Sequence, residues 1–577
     1  MLIKKQFIAM LGAVACLLLT TGCAGRQAGF TLTLAHINDT HGHLSPVPLS
    51  FKLDNDTIRT EAAGFPRLAA ILKKYRKSDK ELVFLHAGDV FTGTLFFSRF
   101  GGRADCNLLN ALGLDAMALG NHEFDRGPRA LADFADQANF ALLAANIDAS
   151  KEPLLRDRIK PYIIKNIRGA KVGIIGIAQP DTPQLSRPGQ GIVFNDPVQS
   201  ARQAIQALVA QGVHAIIVVS HLGYSKDMEL APQLPEVDII AGGHTHTLLG
   251  DFSALGFQSQ GPYPTVCKNA DNATVLVVQA GEWVKIVGVL KVTFDAAGKV
   301  TAWEGGPRMP VGTSFTQGNK MPVSRDQFEK IKAKLSRSPG ITCIDEDAGT
   351  RKLLEPYASE VAFLYKQKIT QAPADIAHVR MPGGEHAGGS DLVPLVADSM
   401  LWKLRAGGQE VDASLTNAGA VRGSIPAGEV TVGQIKDLLP FGDTLVLCRL
   451  SGSEIRQVLE SAIDRALSSA ESGAFPYVAG LRYTADFSLP LGKRLLKIEL
   501  QDSRGRWRAL VKKSYYRMVT NSYLARGREG YGLLAGISKR TQDTGFGDAE
   551  AFIEYAARQL QLKCLPETCI TVVRPKK

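Results

Sequence analysis

Between residues 30 and 295, short apolar runs alternate with amphipathic stretches. Phe30 to Ile37 alternates Thr with apolar residues and predicts a strand. Leu82–His86, Ala215–Ser220 and Val237–Ala241 are apolar runs of strand length and predict buried strands. Further strands are predicted at Phe140–Ala145, Val172–Ile177, Thr274–Ala280 and Val287–Phe294. Apolar residues at helical spacing predict helices over Phe65–Tyr75, Cys106–Leu112 and Val198–Gln211. Pro128 opens another, to about Gln137. Strands and helices in alternation predict a layered α/β architecture. From about Pro310 to Thr370 the pattern changes to helices at Arg325–Leu335 and Arg351–Lys366, separated by Ser-Pro-Gly. A second α/β segment follows from Gln371, with strands at Glu410–Thr416, Thr444–Leu450, Leu495–Leu500 and Tyr516–Asn521 and a final helix Glu550–Leu562. The expected divisions are 1–22, 30–310, 311–370 (a helical linker) and 371–570.

The chain has 577 residues, too many for one core. With 45% hydrophobic and 21% charged residues it is of ordinary globular composition, which excludes wholesale disorder. A net charge of +11 favours anionic ligands or surfaces. No dense Lys/Arg run carries interleaved aromatics, so no nucleic-acid polymer is expected.

The first residues read as an export signal. Lys4 and Lys5 precede an apolar run from Phe7 to Leu19, then Thr-Thr-Gly-Cys ending at Cys23. The run is shorter than the roughly 20 residues a membrane span needs. Its end resembles a bacterial lipobox with Cys23 as the lipidated residue, although Thr20 stands where an aliphatic residue is usual. Ala24 after the cysteine resembles outer-membrane sorting. The expected address is the periplasm or cell surface, as an outer-membrane lipoprotein. Cys564 and Cys569 are the close pair expected to form a disulfide in that setting.

Candidate chemistry sits just after the predicted strands. His36–Gly42 supplies Asp39 and His41, and Ala87–Thr94 supplies Asp89. Leu119–Gly127 supplies Asn121, His122 and Asp125; Ser220–Gly223 supplies His221; Gly242–His246 supplies His244 and His246. Ligands in α/β sheets gather at the carboxyl ends of strands, so these loops are expected to form one cluster. Asn offers a neutral oxygen and His an imidazole to a divalent cation. Two such ions need a bridging carboxylate and mixed N/O ligands. Asp89 is the natural bridge, with Asp39, His41 and His246 on one ion and Asn121, His221 and His244 on the other. His122 is left over, oriented by Asp125, and suits a group touching substrate. His36, His43 and His86 are expected to be ordinary satisfied polar residues.

These motifs strongly resemble the calcineurin-like metallophosphoesterases, specifically the exported 5'-nucleotidase and UDP-sugar hydrolase family. The family pattern is Asp-x-His, Gly-Asp, Gly-Asn-His-Glu-x-Asp, a lone His and Gly-His-x-His, and every part stands here. The resemblance runs from about Thr31 to the C-terminus. It implies a four-layer αββα sandwich, a helical linker and a C-terminal α/β nucleotide-binding domain. In the second half, Asn417-Ala-Gly-Ala-Val-Arg422, Pro440-Phe-Gly-Asp443 and Tyr523 with Gly527-Arg-Glu-Gly-Tyr531 resemble the family's substrate motifs. The resemblance implies that Phe441 and Tyr523 sandwich a base, Arg422 holds phosphate and Glu529 takes the ribose hydroxyls, with Asn417 and Asp443 in the same site. Aromatic stacking, an Arg fork on phosphate and a carboxylate on hydroxyls are each sound chemistry for that task. Ala418 and Ala420 replace family glycines, and arginines matching the family's basic residues are not found in Gly383–Asp391. Asp443 replaces an Asn; it either caps its own turn or, as an acceptor at the base edge, would favour guanine.

The resemblance implies removal of phosphate from nucleotides by a hydroxide between two divalent ions, of Mn, Zn, Mg or Co, with His122 stabilising phosphoryl charge. It also implies a domain rotation that carries nucleotide to the ions. UDP-sugars, NAD and 2',3'-cyclic nucleotides are alternative substrates. A surface nucleotide-binding protein without turnover is the alternative of another class. A monomer is expected.

Overall fold

A computed structural model describes residues 29–574, apart from 55, 319–320, 384–385, 469–471 and 503. The signal segment and Cys23 lie outside the described residues. The chain divides into two compact units, Met1–Val90 with Asp105–Leu353, and Phe91–Ala104 with Leu354–Lys577.

Two large sheets organise the described residues of the first unit. The strands Phe30–Ile37, Val83–His86, Ala116–Ala118 and Ala141–Leu143 run parallel in one. Ala170–Ile177, Ala215–Ser220, Val237–Gly242 and Thr274–Gln279 run parallel in the other. Alternate residues of both sheets meet in one apolar cluster that includes Leu32, Leu34, Val83 and Leu85 from the first and Val172, Ile174, Ile217 and Val219 from the second. The period of two sends the intervening residues to the outer faces. Ile175, Ile216, Val218 and Ile240 thus pack with Ala201, Ala204, Ile205 and Leu208 of the helix Pro197–Val209. That helix begins at Asp196, whose side chain caps Gln199 N–H. On the other side, the helix Phe65–Ser78 lies against the strand Val300–Val311 of the first sheet. The layers are helix, sheet, sheet, helix, and most parallel strands end at a ligand-bearing loop.

The stretch expected as a linker divides. The helix Arg325–Ser336, opened by a Ser324–Gln327 capping box, packs Ile331 and Leu335 into the first unit's core. The boundary between units falls inside the helix Ala348–Tyr365.

The second unit is built on a five-stranded sheet. Its order is Pro476–Ala479, Ala413–Asn417, Tyr515–Asn521, Thr444–Ser451, Thr541–Gly547. Leu392–Ala406 packs on that sheet and on the helix Asp548–Ala557. A four-stranded sheet carries Leu481–Asp486 and Leu495–Gln501. The short helix Leu95–Phe100 belongs to this unit, with Phe100 edge-on to Tyr357 at 4.9 Å and Arg99 paired with Glu360. Cys564 and Cys569 are unbridged thiols, so the expected disulfide is not formed. No helix among the described residues is long and apolar enough to cross a membrane.

Candidate functional site

In the first unit, every predicted ligand lies in a loop that leaves a strand at its carboxyl end. Asp39, His41, Asp89, His244 and His246 all have positive φ, between 46° and 73°. Non-glycine residues rarely adopt that conformation, and it persists where surrounding structure enforces it. The enforcement is visible. Asp39 N–H donates to Gly88 O at 2.9 Å and His41 N–H to Asp89 O at 3.1 Å, which ties two loops together. His244 N–H donates to both Asp39 carboxylate oxygens, at 3.1 and 2.9 Å. Gly120 has no side-chain alternative, because a Cβ there would sit 2.1 Å from Asp89 Oδ1.

The ligand atoms form two groups. Asp39, His41 and His246 converge in one; Asp89, His221 and His244 converge in the other, with all atoms of each group within 4.8 Å of one another. Asp89 stands between them, its Oδ2 2.9 Å from His221 Nε2 and 3.9 Å from His41 Nε2. Burial opposes ionisation of Asp89, but the neighbouring charges of His221 and His122 outweigh it and hold the carboxyl well below its usual range. The donor set fits divalent cations. Asn121 Oδ1 is buried with no hydrogen-bond partner among the described residues, and His221 Nε2 has none in hydrogen-bond alignment. His221 Nδ1 donates to Ala87 O at 2.6 Å, so an ion that displaces the Nε2 proton would meet the lone pair of that nitrogen. Buried polar atoms left in this way call for an ion or another partner.

His122 is placed as expected beside this group. Its Nδ1 is 2.6 Å from Asp125 Oδ2, and Ser186 Oγ donates to the other Asp125 oxygen at 2.7 Å. Its Nε2 lies 4.0 Å from Asp89 Oδ2.

Two residues outside the expected ligand set support the loops. Glu123 accepts backbone N–H bonds from Asp89, Val90 and Gly120, at 3.0, 2.7 and 2.7 Å. Its place in Asn-His-Glu was the available signal. His86, expected to be unremarkable, receives Gly88 N–H on Nδ1 at 3.1 Å and meets Thr40 Oγ1 from Nε2 at 3.1 Å. Burial presses its pKa down to about 3, so it is a neutral clip between the two loops.

In the second unit, Asn417, Glu529 and Tyr523 are brought together. Asn417 Nδ2 donates to Glu529 at 3.0 Å and Tyr523 Oη to the same carboxylate at 3.4 Å. Arg422 lies 5.5 Å from the Phe441 ring centre. Phe441 and Tyr523 are 54% and 38% exposed, so neither ring is buried in the core. Asp443 sits at the turn. Its Oδ1 accepts from Ser522 Oγ at 2.7 Å and Tyr523 N–H at 3.0 Å. The carboxylate caps the turn that presents Tyr523, which supports the turn-capping alternative. Arg380 lies just upstream of Gly383–Asp391. Burial and the charges of Arg380 and Arg422 together lower the pKa of His378, which places both arginines in its surroundings.

Comparison with known proteins agrees with this geometry. Residues 32–248 match the calcineurin-like phosphoesterase family, and residues 369–536 match the 5'-nucleotidase C-terminal domain. The chain is 36% identical over 572 residues to a probable 5'-nucleotidase of Treponema pallidum, covering 96% of each. It is 32% identical over 581 residues to the NAD 5'-nucleotidase of Haemophilus influenzae, again covering 96% of each. The solved structure of Haemophilus influenzae NAD nucleotidase superposes with a TM-score of 0.82 at 30% identity, over 95% of this chain and 100% of that one.

Proposed function

This chain belongs to the 5'-nucleotidase family, a calcineurin-like phosphoesterase domain followed by a 5'-nucleotidase C-terminal domain, and from that premise we propose an exported hydrolase that uses two divalent ions to remove phosphate from nucleotides. It is a metal-dependent phosphoric ester hydrolase. The observation that carries the finer reading is the pair of buried ligand groups on either side of Asp89. Asp39, His41 and His246 would hold one ion, Asn121, His221 and His244 the other, with Asp89 on both. When bound, the ions supply Lewis acidity to phosphoryl oxygens and lower the pKa of a water to near neutrality. The chain's own residues do the rest. His122, fixed through Nδ1 by Asp125, presents Nε2 to the phosphoryl group and stabilises charge there. Phe441 and Tyr523 offer exposed rings to the base, Glu529 and Asn417 accept and donate to the ribose, and Arg422 takes phosphate.

A second substrate has its own support. The chain resembles an NAD 5'-nucleotidase along nearly its whole length. Phosphate release should be measured for AMP and GMP, and the separated hydrolysis products for NAD, a UDP-sugar and a 2',3'-cyclic nucleotide, with EDTA and after return of Mn²⁺, Mg²⁺ or Zn²⁺. The expected outcome is release from 5'-mononucleotides that EDTA abolishes and one of the ions restores. Asp89→Asn should abolish it with both ions. Release unaffected by EDTA, or by that substitution, would overturn the two-ion reading. The address is proposed from Gly22-Cys23 after the apolar run. Cys23→Ser should free the protein from membranes or leave it unprocessed; unchanged membrane attachment speaks against a lipid anchor.

A further inference from the structure

The two ligand groups are backed by different chemistry. His221 is held from behind by a neutral group, the Ala87 carbonyl at 2.6 Å. His246 is held by a charged one, since its Nδ1 lies 2.8 Å from Glu282 Oε2. Glu282 is itself fixed. Lys285 Nζ sits 3.0 Å from Glu282 Oε1 and 3.9 Å from the centre of the Trp283 ring. That ring lies flat on His43, with centres 4.2 Å apart and planes within 8°. Trp283 N–H donates to Asp39 O at 2.8 Å, and Asn38 Nδ2 donates to Gly281 O at 2.6 Å. Trp283 and Val284 both hold φ near 58°, a costly conformation for two successive non-glycine residues. The turn therefore has one enforced shape, and that shape aims Glu282 at His246.

A carboxylate behind a ligating imidazole fixes the ring and its tautomer and raises its basicity. The charge count is also unequal. On the two-ion reading Asp89 would serve both ions; beyond it, Asp39 and Glu282 add charge on the His246 side, while Asn121, His221 and His244 would ligate as neutral groups. Glu123 supports backbone N–H groups rather than a ligand ring.

We propose that Glu282 is a positioning residue that sets the affinity of the Asp39–His41–His246 ion site and makes it the tighter of the two. The proposal rests on the two-ion reading above. It is tested on the full chain, stripped by chelator and titrated with Mn²⁺ in a calorimeter, with bound metal counted by elemental analysis. The wild type should take two ions in two separated steps, and Asn121→Ala should remove the weaker step. Glu282→Gln should weaken the tighter step by about 10- to 100-fold, as loss of such a partner generally does, and leave the other in place. Glu282→Asp should recover part of the loss, and serves alone if Glu282→Gln does not fold. Equal steps in the wild type, loss of the tighter step in Asn121→Ala, or a tight step unmoved by Glu282→Gln or by Glu282→Asp would overturn the proposal. Uptake of no more than one ion by the wild type would instead overturn the two-ion reading.

Discussion

In the first unit, Asp39, His41, Asp89, Asn121, His122 and His221 are each at most 3% exposed, while in the second the two candidate base-stacking rings, Phe441 and Tyr523, are among the exposed large hydrophobic side chains. The contrast follows from what each set handles. Carboxylates and imidazoles that must meet a cation at short range need walls, because a low-dielectric, pre-shaped surround strengthens every charge interaction. The cost is visible as positive φ at the ligands and as the missing Cβ of Gly120. A base needs the opposite, an apolar face left open until a ligand covers it. Phe441 and Tyr523 are held by their turns and not by burial, and the Asp443 cap on Tyr523 N–H is one of those holds.

The largest test of this contrast is in the buried set. His122→Asn should lower kcat by about 10²–10⁴, the range for a positioned acid–base or charge-stabilising group, with metal content unchanged. Metal lost along with activity would move His122 into the ligand set. The open site should respond differently. Phe441→Ala should raise KM for a nucleoside monophosphate and spare kcat, by the roughly 1–3 kcal/mol that one stacked base contributes. A fall in kcat with KM unchanged would remove Phe441 from ground-state binding. The smallest effect concerns Asp443. As a cap, its replacement by Ala should cost about 1 kcal/mol of stability in thermal or urea unfolding. Asp443→Asn should leave the ratio of kcat/KM for GMP over AMP where it is. A shifted ratio would return Asp443 to the base edge.

Legibility follows the same division. The strands Ala215–Ser220 and Val287–Phe294 coincide with their apolar runs, because a buried parallel strand or an alternating one leaves an unmistakable pattern. The hairpin Val47–Leu53 with Asp56–Ala62 was not anticipated, although Leu49, Phe51 and Leu53 alternate into the core. Val300–Val311 was obscured for a better reason. It contains Gly305, Gly306, Pro307 and Pro310, which argue against a strand, and pairing with Val287–Phe294 overrides them. The ligands were readable because each follows a strand in a short motif. Glu282, His86 and Arg380 were not, since their roles come from neighbours distant in the chain: His246, Thr40, and the His378 and Arg422 surroundings.

The interrupted first unit has a consequence for biosynthesis. Phe91–Ala104 leaves the ribosome between two pieces of that unit, yet its own unit is completed only by residues from Leu354 onward. Neither unit corresponds to one unbroken stretch of polypeptide. A nascent chain that has reached Leu353 carries Phe96, Phe97 and Phe100, all buried in the finished protein, with the rest of their unit still to be translated. Closing the first unit around such an excursion is cheap, since each doubling of a flexible loop adds only about 0.6 kcal/mol. The burden is one of timing. Phe100 waits for Tyr357 while residues from Leu354 onward are synthesised, and apolar intermediates of that kind are the ones that chaperones attend.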